Sequence, residues 1–289
     1  MTAKYAYYPG CSLHSTGSEY DVSFRAVCDK LGIGIEEIEG WVCCGTSPAH
    51  STSKLLSLAL PYENICLAGK MGLNDIVAPC ASCFARLKTA QYEAAEDPKV
   101  AGQISEALEK PLPESMSILS PLEIFRNSHD ISQAVTRQLS DLKVACYYGC
   151  LLTRPDKVMQ FDECEYPMAM DEILRSLGIT TLDWSYKTEC CGGALAMTRT
   201  DVVLKLTRDI LEEARTVGAN AISVACPLCH VNLDTRQEEV EQKYNVSYGL
   251  PVFYFTQLMA LAFGVPADKL GLEKHFVSTE GVLSAGSPV

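Results

Sequence analysis

A pair of adjacent cysteines occurs twice in this chain, and both times a glycine follows directly. The pairs are Cys43–Cys44 in GWVCCGTSPAH and Cys190–Cys191 in YKTECCGGALA. Neighbouring side chains of a strand point to opposite faces of the sheet, so two adjacent thiols can serve one site only where the backbone is bent. Glycine permits the unusual backbone angles that such a bend requires. The two pairs therefore predict bent loops.

Each pair is the middle of a longer cysteine series, because a single cysteine precedes it and a C-x-x-C follows it. The first series is Cys11, Cys43, Cys44, Cys80 and Cys83, and the second is Cys150, Cys190, Cys191, Cys226 and Cys229. Equivalent positions lie 139 apart for the single cysteines, 147 for the pairs and 146 for the C-x-x-C. This near-constant offset predicts one module that has been duplicated.

Strand and helix patterns repeat in the same order around the two series. In the first half they predict strands at 4–10, 35–39 and 75–79 and helices at 19–33 and 53–71. In the second half they predict strands at 143–149, 180–184 and 221–225 and helices at 170–179 and 201–217. The alternation indicates an α/β fold. We predict two similar Rossmann-like lobes, with one cysteine-rich domain over 1–140 and a second over 141–289 that includes a C-terminal extension.

The ends of several elements carry further expectations. Ser120 and Thr256 are expected to cap the helix that follows the last strand of each half. The segment 96–116, rich in proline and charge, is expected to be a surface excursion of the first lobe, and 276–289 a mobile tail or partner-binding extension. The cysteines of both series fall at loops or helix starts, where sites gather in α/β folds.

Composition narrows the chemistry of the 14 cysteines. The N-terminus lacks the parts of a secretory signal and no apolar run reaches membrane-spanning length, so we expect a soluble cytoplasmic protein without membrane insertion. Metal or redox chemistry then explains the cysteines better than disulfides. The net charge of −12 argues against nucleic-acid binding. Four cysteines outside the series are expected to pack as small hydrophobic residues: Cys28, Cys66, Cys146 and Cys164.

The number of thiols in each half favours one cofactor over two others. A structural zinc site takes four ligands, which leaves a fifth thiolate without a role, and dithiol catalysis uses only two. A cofactor with several iron atoms can accept five thiolates. Iron–sulfur chemistry is therefore favoured, while zinc and thiol redox chemistry or vicinal disulfides stay open as alternatives.

The two ordered series resemble the cysteine-rich CCG domains of the heterodisulfide reductase B subunit, and the resemblance spans nearly the whole chain. It implies an unusual noncubane [4Fe-4S] cluster in each domain, held by the five cysteines of that half. The implied ligands are Cys11, Cys43, Cys44, Cys80 and Cys83 for the first cluster and Cys150, Cys190, Cys191, Cys226 and Cys229 for the second. Zinc in one half remains a weaker alternative.

The resemblance also implies a catalytic subunit that reduces a disulfide to two thiols by two one-electron steps. The substrate is then the coenzyme M–coenzyme B heterodisulfide or a related sulfur compound, including a small sulfur-carrier protein. The alternative is a non-catalytic iron–sulfur electron-transfer subunit of another oxidoreductase complex. No catalytic residue is assigned. Four polar residues near the series are candidates for proton donors and are left unassigned: His14, His50, Lys187 and His230.

Other polypeptides are expected to deliver the electrons. The sequence lacks the C-x-x-C-x-x-C-x-x-x-C-P run of ferredoxin-like domains, and it has no Rossmann fingerprint or P-loop that would bind flavin or nucleotide. By resemblance, the partners are the ferredoxin-like C subunit and the flavin-containing A subunit of the same complex.

Overall fold

The structure, a computed structural model, describes residues 4–46, 48–113, 116–128 and 131–283. Parts of two predicted segments lie outside the described residues, namely 114–115 of the predicted surface excursion and 284–289 of the predicted tail.

Eight strands within the described ranges form two parallel sheets of four strands each. The first sheet has the order β2-β1-β3-β4 and the second the order β6-β5-β7-β8. The strands are β1 Lys4–Tyr7, β2 Gly34–Glu37, β3 Asp75–Val77, β4 Ser117–Leu119, β5 Lys143–Tyr147, β6 Thr180–Thr181, β7 Ala221–Val224 and β8 Val252–Tyr254. The α/β fold with two similar lobes is therefore confirmed, while the division at residue 140 stays a prediction.

Helices connect the strands in matching order in the two lobes. Those of the first lobe are α1 Gly10–Leu13, α2 Ser18–Leu31, α3 Pro48–Thr52, α4 Lys54–Lys70, α5 Ala81–Glu96, α6 Pro98–Leu108 and α7 Pro121–Arg126. Those that follow are α8 Asp156–Met159, α9 Ala169–Ser176, α10 Thr200–Thr216, α11 Pro227–Thr235, α12 Gln237–Tyr244, α13 Phe255–Ala262 and α14 Glu280–Leu283. Short 3-10 helices cover Ser132–Ala134, Gly193–Leu195, Ala267–Lys269 and Leu272–Lys274.

The central strands are short and buried on both faces, as expected of parallel strands covered by helices. All four residues of β7, AISV, are buried, and β5 exposes only Lys143. The strand order places the topological switch of each sheet between its two central strands, β1 and β3 in the first and β5 and β7 in the second. Ligands of open α/β sheets bind beyond the carboxyl ends of such strands. Those ends lead directly to the single cysteines and the C-x-x-C.

The two lobes pack against each other through equivalent helices. Helix α2 of the first lobe contacts α13, and α9 of the second contacts α7. Aromatic rings fill the centre of this interface: the Phe125 ring lies 5.7 Å from that of Phe24 and 6.0 Å from that of Phe255, between centroids. The Ser23 and Thr256 hydroxyls are 2.6 Å apart in the same buried interface. The lobes therefore share one continuous core.

One of the two predicted caps is wrong. Ser120 caps α7, since its hydroxyl accepts a bond from the Leu122 amide while Glu123 accepts from the Ser120 amide. Helix α13 begins at Phe255, two residues earlier than expected, so Thr256 lies inside its first turn. The Thr256 hydroxyl is turned to Ser23 across the lobe interface and does not cap the helix.

The predicted surface excursion and the predicted tail both contain packed residues. Helix α6 lies within the predicted surface excursion, is capped by Asp97 and buries Ile104 completely. In the predicted tail, the Phe276 and Val277 amides donate to the Asp234 carboxylate at 2.8 and 3.1 Å. The described part of this segment is therefore anchored to the second lobe.

The prediction for the four remaining cysteines holds for three of them. Cys28, Cys66 and Cys146 are buried. Cys164 is partly exposed in the charged loop FDECEYP between α8 and α9, with its Sγ 3.9 Å from a carboxylate oxygen of Glu163 and of Glu165. The expectation that Cys164 packs as a small hydrophobic residue is wrong because its neighbours in this loop are acidic.

Candidate functional site: two groups of five thiols

The first series forms one group of thiols beyond β1 and β3. Cys11 and Cys43 have their sulfur atoms 4.0 Å apart, and Cys83 and Cys44 have theirs 3.5 Å apart. Cys80 ends the extended segment after β3 as the N-cap residue of α5, which carries Cys83 in its first turn. Electrostatic interactions link Cys11 to Cys44 and Cys80, so the structure brings all five predicted residues together.

The second series repeats this arrangement. The Cys150 and Cys190 sulfur atoms are 4.0 Å apart, and those of Cys191 and Cys229 are 3.5 Å apart. Cys226 is the N-cap residue of α11 and interacts electrostatically with Cys150. The two groups therefore match in which members pair and at what distance. Below, the thiols of the first series are the first set and those of the second series are the second set.

Glycine is required immediately before the single cysteine of each set. Gly10 and Gly149 have positive φ angles of +65° and +69°, which residues with a side chain rarely adopt. A Cβ on Gly10 would lie 2.7 Å from the Cys83 sulfur, and one on Gly149 would lie 3.0 Å from the Cys229 sulfur. The backbone approaches the C-x-x-C thiols so closely that no larger residue fits without displacing a sulfur atom.

Several thiols are poised as thiolates, the form that binds metal. The Cys44 thiolate accepts a hydrogen bond from Cys83, which lowers the pKa of Cys44 to about 6. Cys190 accepts from Cys150 in the same way, and its pKa is also lowered to about 6. The donors Cys83 and Cys150 have pKa values raised by these hydrogen bonds.

Backbone amides that follow the cysteine pairs add donors. The Gly45 amide donates to the Cys43 sulfur at 3.5 Å, and the Gly192 amide donates to the Cys190 sulfur at 3.3 Å. In both sets the amide two residues after the sulfur closes the bend that the sequence predicts. These donors stabilise negative charge on the sulfur atoms.

A side-chain network holds the loop of the first cysteine pair. The Tyr8 hydroxyl donates to the Val42 carbonyl at 2.8 Å. The Asn64 side chain bonds both polar groups of the Val42 backbone, accepting from its amide at 2.8 Å and donating to its carbonyl at 3.0 Å. Val42 directly precedes Cys43, so this network fixes where the pair begins.

In the second lobe a buried ion pair lies close to the cysteine pair. Lys187 and Asp171 are fully buried, with 2.8 Å between Nζ and Oδ2, and the Tyr148 hydroxyl donates to the same carboxylate oxygen. The Lys187 carbonyl accepts from the Tyr148 and Gly149 amides. Because Lys187 lies just before the second cysteine pair, the ion pair ties that loop to the strand end that carries Cys150.

The polar residues left unassigned in the sequence take different positions. Lys187 is structural in the way just described. His14 is exposed near Glu37, at 3.2 Å, and His50 is exposed on α3. His230 is buried beside Cys229, and burial together with the nearby His275 lowers its pKa to about 3.

Burial divides each set into an outer and an inner part. Cys11 and Cys43 are exposed, whereas Cys44, Cys80 and Cys83 are buried. The second set has the same division, with Cys190 exposed and Cys150 partly exposed, while the remaining members are buried: Cys191, Cys226 and Cys229. Each set therefore presents one edge to solvent and anchors the other in the lobe.

The donors fit a multi-iron sulfur cofactor. Five converging thiols, several of them poised as thiolates, are the ligands that iron–sulfur clusters take. Within the described ranges, no three or more His, Cys, Asp or Glu side chains are arranged as the ligand shell of a single metal ion. The close sulfur–sulfur contacts occur as pairs at 3.5–4.0 Å.

Sequence reasoning missed two tyrosines that lie between the sets. Tyr20 of α2 and Tyr254 of β8 stack with 4.4 Å between their ring centroids, and both are fully buried. Cys226 and Cys80 both act electrostatically on each of them. No motif marks these residues, because their role depends on how the lobes pack.

Comparison with known proteins places the chain in a family. The CCG family, described as "Cysteine-rich domain", matches residues 5–88 and 144–234. These two ranges contain the first and second sets, respectively. The chain therefore belongs to the CCG cysteine-rich domain family.

Full-length relatives come from two kinds of complex. The chain is 30% identical, over 95% of its length and 94% of the relative, to the B subunit of the ferredoxin/F(420)H(2)-dependent CoB-CoM heterodisulfide reductase of Methanosarcina acetivorans. It is 32% identical, over 96% of its length and 98% of the relative, to the membrane anchor subunit of the 8-methylmenaquinol:fumarate reductase of Wolinella succinogenes. The resemblance to the heterodisulfide reductase B subunit that the cysteines predict is confirmed. Together with the thiol sets, it supports an iron–sulfur subunit of an oxidoreductase.

A solved structure shares the fold. A hypothetical protein from Helicobacter pylori matches 96% of this chain with a TM-score of 0.79 at 11% identity. The match covers 52% of that protein, so the chain spans about half of its length. Among the helices of the described residues, none combines the length and apolar character needed to cross a membrane.

Proposed function

We propose that this chain is the catalytic iron–sulfur subunit of a heterodisulfide-reductase-type complex. It reduces a disulfide to two thiols, with the coenzyme M–coenzyme B heterodisulfide or a related sulfur compound as substrate. The ten cysteines of the two sets hold two noncubane [4Fe-4S] clusters, one in each lobe. When bound, the clusters supply the two one-electron steps that disulfide reduction needs. The observation that carries the proposal is the presence of two complete sets of five thiols with matching geometry.

The exposed edge of each set supports contact with a substrate. Cys11 and Cys43 in the first set and Cys190 in the second reach solvent. A sulfur compound can approach the sets from this side without opening the core. The buried members anchor each set from within the lobe and keep water from that side.

Electrons are proposed to come from a ferredoxin-like C subunit, supplied in turn by a flavin-containing A subunit. Exposed apolar side chains close to the second cysteine pair support a protein partner on this side. Met197 is 94% exposed and Leu195 is 37% exposed, in the segment directly after the pair. Exposed apolar groups next to one another favour contact with another protein. A cytoplasmic location of the complex stays a prediction.

A second function is favoured by one specific observation, the 32% identity to a subunit of 8-methylmenaquinol:fumarate reductase. In this alternative the chain is a non-catalytic electron-transfer subunit of another oxidoreductase complex. The two sets would then pass electrons between partner subunits, and their exposed edges would face protein instead of a small sulfur compound.

The cofactor is tested by metal analysis of anaerobically purified protein. We expect a brown protein with roughly eight iron atoms per chain, as two four-iron clusters require. Colourless protein with stoichiometric zinc would rule out the cluster assignment and favour the zinc alternative.

The two functions are separated by adding a disulfide to the reduced protein. A catalytic subunit reduced with dithionite and freed of excess reductant is reoxidised by coenzyme M–coenzyme B heterodisulfide, with release of two thiols for every two electrons. A transfer subunit keeps its electrons in the same mixture. Addition of coenzyme M or coenzyme B thiol to oxidised protein gives a second readout, because an accessible catalytic site changes its paramagnetic resonance spectrum and a closed relay does not.

A further inference from the structure

The two sets are joined through the lobe interface by a stack of aromatic rings. The Tyr254 ring lies between those of Tyr20 and His230, at 4.4 Å from each and nearly parallel to both. Tyr20 comes from the first lobe, and the other two residues come from the second. All three side chains are buried, with exposed fractions of 4% or less.

The hydroxyls of both tyrosines have no hydrogen-bond partner among the described residues. Buried hydroxyls in folded proteins are nearly always hydrogen-bonded, because the loss of water is otherwise uncompensated. Phenylalanine would fill the same space without this cost. The two stacked phenol groups therefore have donors available for an acceptor held between the lobes.

The position of the Tyr254 hydroxyl points to the thiol sets. Gly17 lies in the loop that follows Cys11, and a Cβ on Gly17 would be 3.3 Å from the Tyr254 hydroxyl oxygen. The same Cβ would be 3.3 Å from Pro227, which lies inside the C-x-x-C of the second set. This hydroxyl is thus placed where the loop of one set meets the C-x-x-C of the other.

The protonation of the two phenols suits donation. Burial raises the pKa of Tyr20 well above its usual value, and the nearby Cys226 and Cys80 raise it further. Burial likewise raises the pKa of Tyr254, with Glu19, Cys226 and Cys80 adding to the effect. Both phenols are therefore neutral and keep the proton that a hydrogen bond to sulfur requires.

We propose that the hydroxyls of Tyr20 and Tyr254 donate hydrogen bonds to sulfur atoms of the groups held at Cys80 and Cys226, and thereby raise the reduction potentials of both sets. The inference rests on the proposed function, since it takes iron–sulfur clusters as the bound groups. Hydrogen bonds to cluster sulfurs favour the more negatively charged reduced state. One stacked pair then tunes two sites that must deliver their electrons in succession.

The test removes each hydroxyl while it keeps the ring. Tyr20→Phe and Tyr254→Phe proteins are purified anaerobically, and their clusters are titrated against potential with detection by paramagnetic resonance. We expect iron content to be retained and a midpoint potential to become more negative. At a fixed ambient potential the ratio of reduced to oxidised cluster should fall about tenfold. This change corresponds to a shift of about 59 mV in the midpoint potential of a one-electron couple.

Tyr62→Phe is the matched control. Tyr62 is also a buried tyrosine, on α4, but the thiol that acts on it is Cys66, which belongs to neither set. Loss of the Tyr62 hydroxyl should leave the reduction potentials of both sets unchanged. Thermal unfolding of the metal-free variants completes the control. A purely structural role for Tyr20 or Tyr254 would change the unfolding temperature of the metal-free protein and leave the reduction potentials unchanged.

The outcomes separate this inference from the proposed function. Unchanged potentials in both Phe variants, with iron retained, would overturn the role of the hydroxyls and leave the cluster assignment intact. Wild-type protein without iron would instead overturn the proposed function. Loss of iron from a variant whose metal-free form unfolds at the wild-type temperature would support a direct bond from the hydroxyl to the bound group.

Discussion

The adjacent cysteines of each pair belong to one set but have different neighbours. In the first lobe Cys43 is exposed and lies beside Cys11, while Cys44 is buried and lies beside Cys83. The bend at the pair therefore turns one thiol outward and the next inward. The sequence predicts that both thiols serve one site, but their partners depend on how the loop lies across the strand ends.

Replacement of one inner thiol should empty one set. Cys44→Ala removes a buried thiolate that accepts from Cys83, so we expect about half of the iron, roughly four atoms of eight, to be lost. Cys28→Ala is the matched control, because Cys28 is also fully buried but lies outside the sets. Iron analysis and paramagnetic resonance measure the effect. Equal iron loss in the two variants would contradict the ligand assignment.

The buried Lys187–Asp171 pair should contribute to stability only as a pair. Lys187→Met leaves the Asp171 carboxylate charged in the core, so we expect the free energy of unfolding to fall by about 3–5 kcal/mol. The double variant Lys187→Met/Asp171→Leu removes both charges and should recover part of that loss. Denaturant unfolding of the metal-free proteins gives both values, and a double variant less stable than Lys187→Met would refute the explanation.

At the scale of elements, the order of strands and helices could be predicted because its physical cause is local. Apolar periodicity and glycine mark nearly every central strand and long helix, including the end of α2 at Gly32. Helix α6 escapes prediction because the segment around it is rich in proline and charge, although Ile104 of the helix is completely buried. The prediction for Thr256 fails because its hydroxyl bonds across the interface, and such a partner cannot be read from neighbouring residues.

The turn after β1 can be tested through its glycine. Gly10→Ala must adopt a positive φ and also place a Cβ 2.7 Å from the Cys83 sulfur. We expect reduced stability together with iron loss from the first set. Gly32→Ala is the matched control, since Gly32 has a similar φ of +66° but nothing within 4 Å of the added Cβ. Gly32→Ala should lower the free energy of unfolding by about 1 kcal/mol and should retain all of its iron. Full iron retention in Gly10→Ala would show that the close approach is unimportant.

At the scale of the whole molecule, the shared aromatic core should make the lobes unfold together. Phe255 contacts Phe125 and Tyr20 of the first lobe, at 6.0 and 6.3 Å between ring centroids. Phe255→Ala should lower the free energy of unfolding by about 3–5 kcal/mol. Hydrogen exchange should then show lost protection in β1 as well as in β7. Loss confined to the second lobe would mean that the lobes are independent.

The members of the two sets could be predicted from the sequence, whereas the residues that lie between the sets could not. Cysteine spacing identifies all ten members because each set is built from loops of a single lobe. The stacked Tyr20–Tyr254 pair joins two lobes whose packing depends on many side chains at once. No short motif carries that information.

The packing of equivalent helices at the lobe interface has a consequence for ancestry. Helix α2 packs on α13, and its equivalent α9 packs on α7, so a half-length chain would offer both of these surfaces to a second copy of itself. Such a chain would form a two-fold symmetric dimer with two identical sets. In the single chain the two halves differ, as the Asn64 network of one lobe and the Lys187 ion pair of the other show. A homodimer could not have held different residues at those two places.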